Sequence, residues 1–196
     1  LETEGKVLRK QGSGTYVNTR TIDINTTLYP RVDMRDIITN NGYKARSKVL
    51  SVQSVQAGGL ASRLHCSPSL SLQVAKSLYY ADDTPCMYCI DTLRYGHIAE
   101  HHWKSPTLET QSIYEFLRKA ANNHVKWDVI RIQAVTSGEV PELMEYFPVP
   151  SGKVRPFVLL EITNYDDGNT PVLYGCIYVD TERIRLNIVR DIGQLS

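Results

Sequence analysis

The sequence has no apolar run long enough to cross a bilayer and no charged-then-apolar start of the kind that directs secretion, so nothing in it calls for a membrane. It has only four cysteines, Cys66, Cys86, Cys89 and Cys176, too few and too scattered for a disulfide framework, which favours a reducing, cytoplasmic setting. Net charge is almost absent: 22 basic residues against 21 acidic ones leave +1, so no global field draws nucleic acid or lipid. Repeats and low-complexity tracts are missing. So is an initiator methionine, and the expectation is a chain that begins inside something longer. What is present is a hydrophobic fraction of 42% over 196 residues, enough for one domain of ordinary size with a proper core. The small charge is unevenly placed. Residues 1–20 hold Lys6, Arg9, Lys10 and Arg20 against Glu2 and Glu4, a local +2 that leaves the remainder at −1.

That basic front runs straight into glycines: Leu8-Arg9-Lys10-Gln11-Gly12-Ser13-Gly14-Thr15-Tyr16-Val17. A phosphate-cradling loop needs a helix start behind it, whose free N–H groups meet the anion. Here strand formers follow the glycines, and no Lys-Ser/Thr pair is present. The stretch therefore reads as a β-hairpin, with strands at 6–9 and 15–17. Its tip is either plain turn material or, with Arg9 and Lys10 beside it, a contact for an anionic partner.

Residues 18–29 show no helical period and read as a linker closed by Pro30. Asp33 is placed to cap a helix in which Met34, Ile37 and Ile38 share a face, with Gly42 at the C′ position. Val49–Val55 alternates as a strand, and Gly58-Gly59 opens a short helix carrying Leu60, Ala61 and Leu64. Two long strands, 70–81 and 85–94, join across Asp82-Asp83-Thr84. The clearest helix spans 111–122, with Ile113, Phe116, Leu117 and Ala120 on one stripe. A strand at 127–135 and a short helix at 139–146 follow. A three-strand meander, 156–165, 170–179 and 183–190, closes the chain. Long strands in hairpin order with helices between them indicate an α+β domain on an antiparallel sheet, with helices packed on it.

Two motifs invite metal chemistry. Cys86-Met87-Tyr88-Cys89 spells CxxC, but positions i and i+3 of a regular strand face opposite ways, and no second CxxC completes a ligand set. His97-Ile98-Ala99-Glu100-His101 matches the H-x-x-E-H of inverted zinc peptidases. Gly96 precedes it and Pro106 follows, so the long helix that would align both histidines is not indicated. No metal and no cofactor is expected.

With these pieces placed, the chain resembles GntR-type transcriptional regulators of the HutC class. Glu4-Gly5-Lys6-Val7-Leu8-Arg9-Lys10-Gln11-Gly12-Ser13-Gly14-Thr15-Tyr16-Val17 is similar to the last strands and wing of their winged helix. Ala81-Asp82-Asp83-Thr84-Pro85 is similar to the ADGxP hairpin of their effector-binding (UTRA) domain, and Ser112-Ile113-Tyr114 to its SLY helix start. Tyr165–Val172 and Tyr178–Arg183 resemble two further landmarks near its end. The resemblance implies three parts: residues 1–18 as the wing of a truncated winged helix, 19–29 as linker and 30–196 as a UTRA domain of chorismate-lyase-like fold. It also implies a homodimer that binds a small-molecule effector and, in the full-length protein, operator DNA through Arg9, Lys10, Gly12, Ser13 and Gly14.

Carried over position by position, the family's site falls on Ser77, Tyr79, Cys89, Ser112, Tyr114 and Leu173, and Asp91 and Val179 are expected to join them in the pocket. Sugar-phosphate sensors of the family place arginines where this sequence has Ser77 and Tyr79, and glutamates where it has Cys89 and Leu173. A hydroxymethyl and a phenol cannot clamp phosphate as two guanidiniums do. The resemblance therefore implies an effector other than a phosphosugar, in a pocket walled by Tyr79, Leu173 and Val179 with Asp91 as a polar anchor. Ser112 and Tyr114 supply hydrogen-bond donors near a helix N-terminus. Two other classes stay open at this point: an enzyme, lyase-like or zinc-dependent through His97, Glu100 and His101, and a domain that only mediates dimerisation.

Overall fold

A computed structural model describes residues 7–10, 14–17, 33–94, 98, 102 and 111–188. Strands β1 (Val7–Lys10) and β2 (Gly14–Val17) pair antiparallel, Lys10 opposite Gly14, as a separate two-stranded hairpin. The remaining strands build one antiparallel six-stranded sheet. They are β3 (Ala45–Gln56), β4 (Ser71–Ala81), β5 (Thr84–Leu93), β6 (Trp127–Thr136), β7 (Pro156–Tyr165) and β8 (Pro171–Asp180), in the order β3-β4-β5-β8-β7-β6. The α+β architecture expected from the sequence is the one observed. No helix among the described residues is long and apolar enough to cross a membrane.

Both faces of the sheet are covered. On one face lie α1 (Met34–Asn40) and α2 (Ile113–Ala120). Ile37 and Ile38 of α1 pack with Met87, Leu160, Val179 and Ile184, while Phe116 and Leu117 of α2 pack with Leu93, Val172 and Leu173. On the other face a 3₁₀ helix (Gly58–Ser62) closes over Leu72 and Tyr174. Beside it, α3 (Leu143–Tyr146) covers Tyr88, Phe157 and Tyr178. Here Tyr88 stacks between Tyr146 and Tyr178 at centroid distances of 5.4 and 6.1 Å.

Helix ends follow the residues that write them. Asp33 caps α1 by accepting from the Arg35 amide at 2.8 Å. At the other end Gly42 takes φ +87°, its N–H reaches Thr39 O, and the Tyr43 N–H reaches Ile38 O, the bonding pattern of a Schellman stop. Ser112 caps α2 by accepting from the Glu115 amide at 3.1 Å. In the β4–β5 hairpin Ala81 pairs with Thr84, and Asp82 takes the left-handed turn position at φ +56°.

Three expectations require correction. Residues 183–188 do not extend the meander as a strand; 189 and 190 lie outside the described residues. The Arg183 and Ile184 amides turn back to Asp180 O, and the Arg185 amide is taken by Asn41 Oδ1 at 2.9 Å. The segment thus docks on the end of α1, with Ile184 fully buried. The second correction concerns β3, where the register slips at Leu50. The bulge sets Val49 opposite Ser77 but Ser51 opposite Lys76, on the other face, so Val49 and Val55 do not share a face and Val49–Val55 does not keep one alternation. The third concerns the CxxC. Tyr79 pairs with Met87 and Tyr80 with Pro85, leaving Cys86 as the extra residue of a bulge. Cys86 and Cys89 therefore lie in the same buried cluster rather than on opposite faces.

Candidate functional site

The two central strands, β5 and β8, run antiparallel with Cys89 opposite Ile177, Asp91 opposite Gly175 and Leu93 opposite Leu173. Period-2 alternation points one set of these side chains toward α1 and α2. Where the start of α1 approaches the start of α2, the helices do not seal completely against the sheet. A chamber of about 30 Å³, room for one or two waters, remains between them. Its floor is Cys89, Asp91, Leu173, Gly175 and Ile177, with Tyr79, Ile162 and Asn164 from the neighbouring strands. Its roof is Asp33, Met34, Ser112, Ile113 and Tyr114. Through Asp33, Ser112 and Tyr114 the chamber adjoins an open cleft of about 550 Å³ that carries the charged groups Arg35, Asp36, Glu115 and Arg118 together with His124.

The chemistry of the two spaces differs. Among the described residues, no lysine, arginine or histidine lines the inner chamber. At its mouth Arg35 is held on Asp33, Nη2 to Oδ2 at 3.1 Å. Inside, burial raises the Asp91 carboxyl from the usual carboxylate range to about 7, so near neutral pH it holds its proton about half the time. Burial, and then the proximity of Asp91, pushes the Cys89 thiol up; burial, then Cys89 and Asp91, does the same to the Tyr79 phenol. Both stay neutral. Ser112 Oγ accepts from the Glu115 amide, which leaves its own proton for a further partner.

Six of the eight residues expected at the site therefore meet around one space: Tyr79, Cys89, Asp91, Ser112, Tyr114 and Leu173. Two do not line it. Ser77 lies one register step away, opposite Cys89 and Val49. Val179 is fully buried among Met87, Ile177 and Ile184, a core residue beyond the chamber wall.

A model of the UTRA domain matches residues 40–185, most of the chain. The chain belongs to the UTRA domain family. No curated protein matches it in sequence. Among solved structures it is similar to the possible transcriptional regulator YydK from Bacillus subtilis subsp. subtilis str. 168, at 16% identity and TM-score 0.75, over 97% of this chain and 78% of that one. It is also similar to PhnF from Mycobacterium smegmatis, at 16% identity and TM-score 0.72, over 96% and 80%. A third is the ligand-binding domain of a putative GntR-family transcriptional regulator from Bordetella bronchiseptica, at 14% identity and TM-score 0.63, over 76% and 90%. At these identities the likeness is one of fold.

In this UTRA domain the sequence reading missed Asn164 and Gly175, both at the chamber. Each left a signal. Gly175 interrupts an otherwise apolar strand, which marks a close approach. Asn164 breaks the apolar series Leu160, Ile162 on the inner face of β7. Of the residues expected to touch DNA, Arg9 and Lys10 end β1 and Gly14 begins β2, while Gly12 and Ser13 lie outside the described residues. The zinc-peptidase candidates His97, Glu100 and His101 lie outside them as well, as does the linker at 19–29. Among the described residues no group of three or more potential metal ligands gathers.

Proposed function

We propose that this UTRA domain is the effector-sensing part of a DNA-binding transcriptional regulator of the GntR type, HutC class. The observation that carries the reading is the chamber at the meeting of α1, α2 and the central strands, lined by polar groups with no cation among the described residues and opening toward a wider cleft. A packed core has little use for a half-buried carboxyl facing a cavity, whereas a ligand site does. The chamber holds only about 30 Å³, less than a small organic molecule fills. Binding must spread α1 and α2, and any second site that prefers the spread arrangement is then coupled to the effector.

Within that reading residues 1–18 are the wing of a winged helix, 19–29 the linker and 30–196 the sensing domain. Arg9, Lys10 and the 12–14 tip contact phosphate or the minor groove of operator DNA in a protein that carries the recognition helix. The domain works as a homodimer; β6, at one edge of the sheet, carries Val129 and Ile132 half-exposed, which supports pairing with a second copy. The setting is cytoplasmic, consistent with four free thiols. The protein senses rather than catalyses in this reading, which the carboxyl without a basic partner among the described lining residues supports.

The effector is not a sugar phosphate. A phosphate placed in the chamber would meet Asp91 and no cation among the described lining residues, a repulsion that neutral Ser112 and Tyr114 cannot offset. Thermal unfolding with a panel of amines, amino acids, organic acids, nucleosides and sugar phosphates tests this. A saturating ligand from a class without phosphate is expected to raise the midpoint by about 5–10 °C at a hundredfold excess over its dissociation constant. A shift with sugar phosphates alone, or with none of the classes, overturns the reading.

A further inference from the structure

Two acceptor groups inside the chamber have no donor. The Asp91 carboxyl meets no hydrogen-bond or ion-pair partner among the described residues. Asn164 is 2% exposed; its Nδ2 donates to Leu173 O at 3.4 Å, while its Oδ1 is buried without a partner. Gly175 keeps the space over the carboxyl clear: a Cβ at that position would stand 3.2 Å from Asp91 Oδ1. A buried acceptor left unmatched, as Asn164 Oδ1 is, is costly and is kept where a ligand supplies the missing donor. With the half-buried Asp91 carboxyl beside it, ionisable to a full negative charge, and no cation among the described lining residues, the pair calls for a donor-rich and positively charged group. The walls beside them, Ile162, Ile177, Leu173 and Tyr79, are apolar or aromatic and suit a short hydrocarbon body.

We propose, on the reading of the chamber as the effector site, that the effector is a small organic amine. Its ammonium sits over Gly175 between Asp91 and Asn164 Oδ1, and its apolar body lies against Leu173, Ile162 and Tyr79. This binding mode assigns a role to the three features that core packing does not explain: the partnerless carboxyl, the orphaned amide oxygen and the strand glycine.

Three probes of one shape test it: benzylamine, benzyl alcohol and benzoate, titrated against the whole chain by ligand-observed NMR. Benzylamine is expected to bind at least tenfold more tightly than benzyl alcohol. Asp91→Asn should bring benzylamine to the benzyl alcohol level without changing benzyl alcohol itself. Gly175→Ala, which crowds the carboxyl, should weaken benzylamine selectively, and it decides the matter if Asp91→Asn fails to fold. Binding of benzyl alcohol or benzoate as tight as that of benzylamine overturns the amine inference while leaving the chamber as a ligand site. Binding of none of the three removes both.

Discussion

Asp91 stands in an environment that disfavours its charged form, and its titration is measurable without any ligand. Its carboxyl releases a proton near 3.8 when unfolded and at about 7 when folded, because burial penalises the charge. Below the unfolded value both states hold the proton and the residue has no effect on stability. Between the two values the folded state binds more protons, so stability falls as pH rises, and the full penalty stands above pH 7. A shift of that size corresponds to roughly 4 kcal/mol as an upper figure. Asp91→Asn removes the penalty. Urea unfolding from pH 4 to 8 should show the variant and the wild type close at pH 4 and diverging upward, with the variant the more stable at pH 8. Parallel profiles would contradict the assignment. Tyr79 and Cys89, the titratable neighbours, are pushed upward and stay neutral in this window. The position of Asp91 on the chamber face of β5 was legible once the family landmark at Ala81–Pro85 set the numbering. Its partnerless state was not, because that depends on what α1, α2 and β8 fail to bring to it.

Elements were legible where one residue writes the boundary and illegible where a distant contact does. Asp33 and Gly42 announce the ends of α1 by cap chemistry, and those ends fall where expected, whereas α2, expected over 111–122, starts after its cap Ser112 and ends at Ala120. The bulges at Leu50 and Cys86 carry no local signature, so the parity of β3 and the facing of the CxxC thiols were misread. Residues 183–188 have strand propensity, but Asn41, 144 positions away, takes the Arg185 amide that a ladder would need. At this scale the cap of α2 has two roles, since Ser112 both starts the helix and lines the chamber. Ser112→Ala should cost about 1 kcal/mol in chemical denaturation. Ser112→Asn, a good cap of different shape, should keep the stability and still alter effector affinity. Equal affinity in wild type and Ser112→Asn would separate the helix start from the site.

Over the whole molecule, the order of strands matters more than their lengths. β5 and β8 are far apart in sequence yet adjacent at the centre of the sheet, and this adjacency sets Asp91 against Gly175. Hairpin signals can join β4 to β5 or β7 to β8, but nothing local joins β5 to β8; that pairing was available only through resemblance to a known fold. The same arrangement leaves β3 and β6 as edges and stacks helices on both faces, so the chamber can open by movement of α1 and α2 without disturbing the sheet. On the function proposed above, this UTRA domain senses its ligand as a dimer. Native mass spectrometry of the purified chain, after incubation with the low-molecular-weight fraction of a cell extract, reads both halves at once. A dimer carrying one small molecule per protomer, with that molecule reduced or lost in Asp91→Asn, is the predicted result; a monomer with no bound molecule would contradict it.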